Sequence, residues 1–107
     1  MDIIELTEAA FDASVETGVT LVDFWATYCG PCKMLGALIE KQLAPQLEEM
    51  GVKVAKVNIE NERELAARFE LQSVPVLMIF KDGMLMTKLE GMQKPQDILD
   101  AVQGVLA

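Results

Sequence analysis

The two cysteines of this 107-residue chain, Cys29 and Cys32, are separated only by Gly30 and Pro31. Thiols at that spacing can close a disulfide on each other. Their surroundings give the pair a chemistry. The apolar run Leu21–Trp25 lies just before them and a helical pattern just after, so the dithiol sits at a strand-to-helix junction. At a helix N-terminus, free N–H groups and the helix dipole favour a thiolate on the first cysteine. Cys32, one turn in, is close enough to close a disulfide with Cys29. Gly30 permits the tight bend, and Pro31 suits and stiffens the first turn. Two small buried apolar side chains, or half of a shared metal site, are the plainer alternatives. The alternating strand–helix context favours redox exchange.

Several other chemistries are excluded. The chain has no His, which removes His-based triads and His metal ligands. Two cysteines cannot close a tetrahedral zinc site and are too few for a structural disulfide framework. The formal net charge of -8 argues against nucleic acid or an anionic membrane as partner, because phosphates repel such a surface. The longest apolar run, Val74–Phe80, falls far short of the roughly 20 residues of a spanning helix. Met1–Glu5 lacks the basic start and apolar stretch of a signal peptide, so a cytoplasmic protein is expected.

The dithiol needs elements to hold it. Thr7 reads as the cap of a helix over about 8–16, ended by Gly18. Leu21–Trp25 and the alternating Val52–Ile59 read as central strands, with a further strand possible from Ile3-Ile4. Leu35, Ile39, Leu43, Leu47 and Met50 recur at helical spacing after the dithiol. Pro45 interrupts that run, which predicts a kink or break just before it, with straight first turns through Gly36-Ala37. Asn61 with Glu64 resembles a capping box opening a short helix to about Phe69. Val74–Phe80 reads as a third strand, Asp82-Gly83 as a hairpin turn, and Met84–Leu89 as the returning strand. Pro95 opens a C-terminal helix carrying Ile98, Leu99, Val102 and Val105. Parallel crossovers early and a hairpin late give an α/β domain over residues 1–107: a mixed sheet with helices on both faces.

Asp23 is the odd residue in an apolar strand. It is either a strand-end carboxylate reaching water or a buried acid–base group whose pKa burial raises towards working pH. Lys56, on the next strand, reads first as a solvated side chain with its stem on apolar surface. Trp25 and Tyr28 flank the motif, Trp25 packing on its loop and Tyr28 bordering an exposed face. Met34 and Met92 are candidate docking side chains.

The segment Val22-Asp23-Phe24-Trp25-Ala26-Thr27-Tyr28-Cys29-Gly30-Pro31-Cys32-Lys33-Met34 resembles the active-site segment of the thioredoxin family. Val54–Ile59, Ser73-Val74-Pro75 and Phe80-Lys81-Asp82-Gly83 match later segments of that family in order and spacing. The resemblance implies a thioredoxin fold and a protein thiol–disulfide oxidoreductase. Cys29 would attack a substrate disulfide, Cys32 would resolve the mixed disulfide, and Asp23 would take the Cys32 proton. It implies Lys56 as a modulator near Asp23, and a cis Val74-Pro75 bond facing the dithiol. Trp25, Tyr28, Val74, Pro75 and Gly91 would form the substrate-binding groove. No cofactor beyond the Cys29–Cys32 pair and no metal is implied. The implied partners are disulfide-bearing proteins and a thioredoxin reductase as electron donor, with a monomer as the expected state. A partner subunit or redox switch on the same fold, binding one specific protein, is the alternative. The chain departs from the common pattern in Tyr28, where most members have Trp, and in Gly36-Ala37, where a helix proline is usual.

Overall fold

The computed structural model describes residues 3–107; Met1 and Asp2, the start of the expected domain, lie outside the described residues. Five strands form one sheet in the order β1-β3-β2-β4-β5. They are β1 (Ile4–Glu5), β2 (Val19–Trp25), β3 (Lys53–Asn58), β4 (Val76–Lys81) and β5 (Met84–Glu90). β1 and β2 both run parallel to β3, whereas β4 is antiparallel to β2 and β5 to β4. The expected mixed sheet with helices on both faces is therefore the architecture.

β2 alternates between the two faces and is buried along nearly its whole length, as a central strand should be. Val19 and Leu21 point to a largely aliphatic core with Leu35, Ile39, Leu43, Leu47, Leu77, Ile79, Ile98 and Val102. That core lies under α2 (Gly30–Leu38), α3 (Ala44–Glu49) and α5 (Pro95–Leu106). Val22 and Phe24 point the other way, to a core under α1 (Glu8–Val15) and α4 (Arg63–Arg68). There Phe11 meets Phe24, Phe69 and Phe80 at ring-centroid distances of 6.4, 5.5 and 5.5 Å.

Local signals in the chain account for most boundaries. Thr7 Oγ1 accepts the Ala10 N–H at 3.3 Å and caps α1. Asp82 and Gly83 both have positive φ, 48° and 85°, which makes the β4–β5 connection the primed turn that hairpin twist favours. Asp82 also accepts the Gly18 N–H at 2.8 Å, tying the hairpin to the entry of β2. Pro95 lies in the first turn of α5.

Several expected boundaries shift: β2 begins earlier, at Val19, β3 is the shorter Lys53–Asn58, and β5 runs on to Glu90. β1 is Ile4–Glu5, so Ile3 precedes it. α1 stops at Val15, one residue before the expected end. β4 begins at Val76 rather than Val74, because Pro75 has no N–H to give the ladder. Asn61 does not cap α4. The Asn58 carbonyl accepts both the Asn61 and Glu62 N–H groups, at 3.2 and 2.9 Å, and this turn carries Glu62 to the cap position. The Glu62 carboxylate is used elsewhere: it accepts the Glu8 N–H at 2.9 Å, at the start of α1.

The helical run after the dithiol breaks where Pro45 requires it. α2 passes unbroken through Gly36-Ala37, then gives way to a π-helical turn at Ile39–Leu43 before α3 resumes. The Ala44 N–H reaches back to the Ile39 carbonyl, five residues away. A ring at position 45 cannot supply an N–H to the Lys41 carbonyl and would collide with it in a regular helix. The wider turn relieves both demands.

Candidate active site

β2 delivers the chain from the sheet to the start of α2, and the dithiol sits at that junction. Cys29 is the N-cap of α2, with extended backbone (φ -98°, ψ 107°), and Pro31 occupies the first turn. The Cys32 N–H donates to Cys29 Sγ at 3.1 Å. A helix-terminal N–H on the sulfur is the hydrogen bond that would stabilise a thiolate there. Cys29 and Cys32 are joined as a disulfide, their Cα atoms 5.2 Å apart. Both residues are buried, Cys29 with 8% of its surface exposed and Cys32 with 2%, so Cys29 is the less covered of the two. Trp25, Ile59 and Val74 pack against this pair and Ala26.

A second segment faces the first sulfur. The Val74-Pro75 peptide bond is cis, and the Val74 carbonyl oxygen lies 3.7 Å from Cys29 Sγ. The Gly91 N–H donates to the Pro75 carbonyl at 2.9 Å, which brings the end of β5 beside the same segment. Gly91 has φ +79°, a conformation that a side chain would strain. Tyr28, Met34 and Met92, close in sequence to Cys29, Cys32 and Gly91, are exposed, Tyr28 at 73%.

Behind the dithiol, Asp23 is buried on the aliphatic side of β2, with 5% of its surface exposed and no protein hydrogen bond to Oδ1. Burial pushes its carboxyl up to about 7, against an opposing pull from the Lys56 charge and a smaller push from Glu5. Lys56 is its register neighbour on β3, pairs with Glu5 at 3.7 Å, and lies 5.5 Å from the Trp25 ring centroid. Asp23, Cys32, Trp25, Gly36, Ile39 and Lys56 line one cavity of about 360 Å³. Gly36 contributes to that space by lacking a side chain, since a Cβ there would lie 3.8 Å from Asp23 Oδ2.

The candidate site residues fall in two groups. Cys29, Gly30, Pro31, Tyr28, Val74, Pro75 and Gly91 belong to the outer face, and Asp23, Lys56, Trp25 and Cys32 to the cavity behind it. Sequence reasoning missed Gly36 as a cavity wall and missed Glu60. The Glu60 carboxylate accepts the Thr27 N–H and hydroxyl at 2.5 and 2.6 Å, two residues before Cys29. An Asn-x-Glu at the end of a strand hints at a turn, but nothing local pairs Glu60 with a residue 33 positions away. No helix among the described residues is long and apolar enough to cross a membrane. No cluster of potential metal ligands occurs among them either.

A disulfide between cysteines three apart at a helix start, on a mixed sheet of this order, is the arrangement of thiol–disulfide oxidoreductases. The thioredoxin family model matches residues 2–104. Over 102 residues the chain is 39% identical to the thioredoxins of Staphylococcus aureus strains Mu50, MW2 and USA300, covering 95% of this chain and 96% of theirs. The chain belongs to the thioredoxin family and is a protein-disulfide reductase by that membership.

Proposed function

We propose that this chain, acting as one domain, reduces disulfides of varied target proteins through Cys29 and resolves each mixed disulfide with Cys32. The observation that carries this reading is the unequal exposure of two joined sulfurs. Cys29, the helix cap facing the Val74 carbonyl, keeps 8% of its surface exposed, whereas Cys32 behind it keeps 2%.

In the reduced protein, the Cys29 thiolate attacks one sulfur of a substrate disulfide. A new S–S bond forms to Cys29 while the other substrate sulfur leaves as a thiolate. The Val74 backbone and Gly91 border the approach, which suits an extended peptide recognised mainly through its main chain. Tyr28 and Trp25 flank that approach. Cys32 then attacks Cys29 Sγ, the substrate's remaining sulfur departs with the electron pair, and the protein is left as the disulfide seen here. Cys32 must lose a proton to attack. Asp23, its carboxyl pushed up to about 7 by burial, is the group placed to accept it. Lys56 modulates Asp23 by charge. One substrate disulfide is reduced for each protein dithiol oxidised. The proposed recharging partner is a thioredoxin reductase, and the proposed setting is the cytoplasm, with the protein as a monomer and no cofactor beyond the cysteine pair.

Reduction of insulin driven by dithiothreitol tests the reading without the natural donor. Wild type should accelerate precipitation of the insulin B chain, and Cys29→Ser should lose that acceleration. A Cys29→Ser protein as active as wild type would reject Cys29 as the attacking group.

A further inference from the structure

We propose that Glu60 is a positioning residue for the exchange reaction: through Thr27 it fixes the turn that sets Tyr28 and the Cys29 sulfur in place opposite Val74. The proposal rests on Cys29 as the attacking group and adds a residue that touches neither sulfur nor substrate.

Glu60 is held from behind and holds what lies ahead. Its own N–H donates to Asn58 Oδ1 at 2.9 Å, and Asn58 is buried, with 7% of its surface exposed. The Ile59 N–H donates to the Trp25 carbonyl at 3.0 Å, continuing the β2–β3 ladder past the strand ends. From that base one carboxylate oxygen of Glu60 takes both the N–H and the hydroxyl of Thr27. Two residues on, the Cys29 N–H closes the turn onto the Ala26 carbonyl at 3.2 Å. Isolated carboxylates on a surface do little. This one receives two short charge-assisted bonds from a single residue, and those bonds hold the Glu60 carboxyl below its usual range. The turn it secures has Ala26 buried and Cys29 at the helix cap, and the intervening Thr27 and Tyr28 are exposed, with no core packing to fix them.

Charge and geometry predict opposite signs, which makes the role testable. Removing a negative charge near Cys29 by itself favours its thiolate and lowers the pH at which it becomes reactive. Loosening the turn weakens the Cys32 N–H to Cys29 Sγ bond and raises that pH. Iodoacetamide labelling of Cys29 in the reduced full-length chain is followed across pH, together with kcat and KM for insulin reduction. Glu60→Ala should lower kcat/KM about tenfold, mainly through kcat, and shift the labelling midpoint upward. Glu60→Gln keeps an acceptor without the charge and should stay within about threefold of wild type. Thr27→Val should move both readouts in the same direction as Glu60→Ala by less, Thr27→Ser should restore them, and the Glu60→Ala/Thr27→Val pair should lose no more than Glu60→Ala alone. A midpoint that falls or stays fixed in Glu60→Ala, or equal losses in Gln and Ala, overturns the proposal. Should Glu60→Ala not fold, the Thr27→Val and Thr27→Ser pair decides it alone. Cys29→Ser, run alongside, reports separately on the attacking thiol: turnover retained there rejects the parent reading whatever Glu60 does.

Discussion

The two faces of β2 are built to different standards. Val22 and Phe24 enter a core where four phenylalanine rings, Phe11, Phe24, Phe69 and Phe80, contact one another edge-on or tilted. Leu21 and Asp23 face the other way, and beside Asp23 that side carries a cavity of about 360 Å³, a glycine in the helix opposite and a π turn. One strand therefore contributes cohesion to one face and a costly buried acid to the other. The difference teaches that the buried acid is tolerable because it is set between an aromatic core on the opposite face and an aliphatic core on its own. Strain and desolvation at functional sites persist only where surrounding structure over-determines them.

The contrast can be broken most severely at Phe11. Truncating a fully buried ring removes its transfer free energy and leaves a hole among three other rings, so Phe11→Ala should cost about 3–5 kcal/mol by denaturant titration. Turnover of the molecules that remain folded should be unchanged. A loss below about 1 kcal/mol would mean that this face is not the cohesive one.

Asp23 sharpens it from the other side. Because its folded-state carboxyl titrates near 7 instead of 3.8, the native state holds the proton more tightly than the unfolded chain does. The associated stability is fully present below about pH 3.8, declines as pH rises, and is gone above about pH 7. Asp23→Asn should therefore stabilise the protein by about 2–4 kcal/mol above pH 8, should flatten the fall in stability between pH 4 and 7, and should slow turnover. An Asn variant less stable than wild type and fully active would make Asp23 an ordinary structural carboxylate.

The smallest effect belongs to Gly36. Glycine inside a helix is less stable than alanine by about 0.5–1 kcal/mol. A Cβ there would meet Asp23 Oδ2 at an ordinary 3.8 Å. Gly36→Ala should gain roughly that stability and, by narrowing the space around Asp23, push its titration further up. Calorimetry and the pH dependence of turnover read the two effects separately. A destabilised variant would show that the helix cannot accept even one methyl beside the carboxylate.

What the sequence disclosed follows the range of the forces involved. Thr7, Pro31, Asp82-Gly83 and Pro95 act within a few residues of themselves, and each has its expected place. The dithiol, the buried strand and the odd Asp23 were legible because they break or make local patterns. Asn61 failed as a cap because its local pairing with Glu64 loses to a turn closed by Asn58 and to a carboxylate, Glu62, spent on another helix. The break before Pro45 was legible from the missing N–H, but not its form as a π turn, which depends on how Ile39 and Leu43 must stay buried on the aliphatic core. Glu60 was silent, and Gly36 showed only as a departure from the usual helix proline, since the role of each depends on a residue that folding brings to it.

The division of labour between the sulfurs is tested most directly by removing the covered one. With Cys32→Ser, the first attack remains possible and the resolving step is lost. The variant should accumulate mixed disulfides through Cys29 with several different proteins, visible on non-reducing gels and released by dithiothreitol. Cys29→Ser should trap far fewer, because the remaining thiol is covered. If Cys32→Ser traps nothing, or if Cys29→Ser/Cys32→Ser retains a single non-covalent partner and wild-type cellular function, the reductase cycle is not what this chain's dithiol performs.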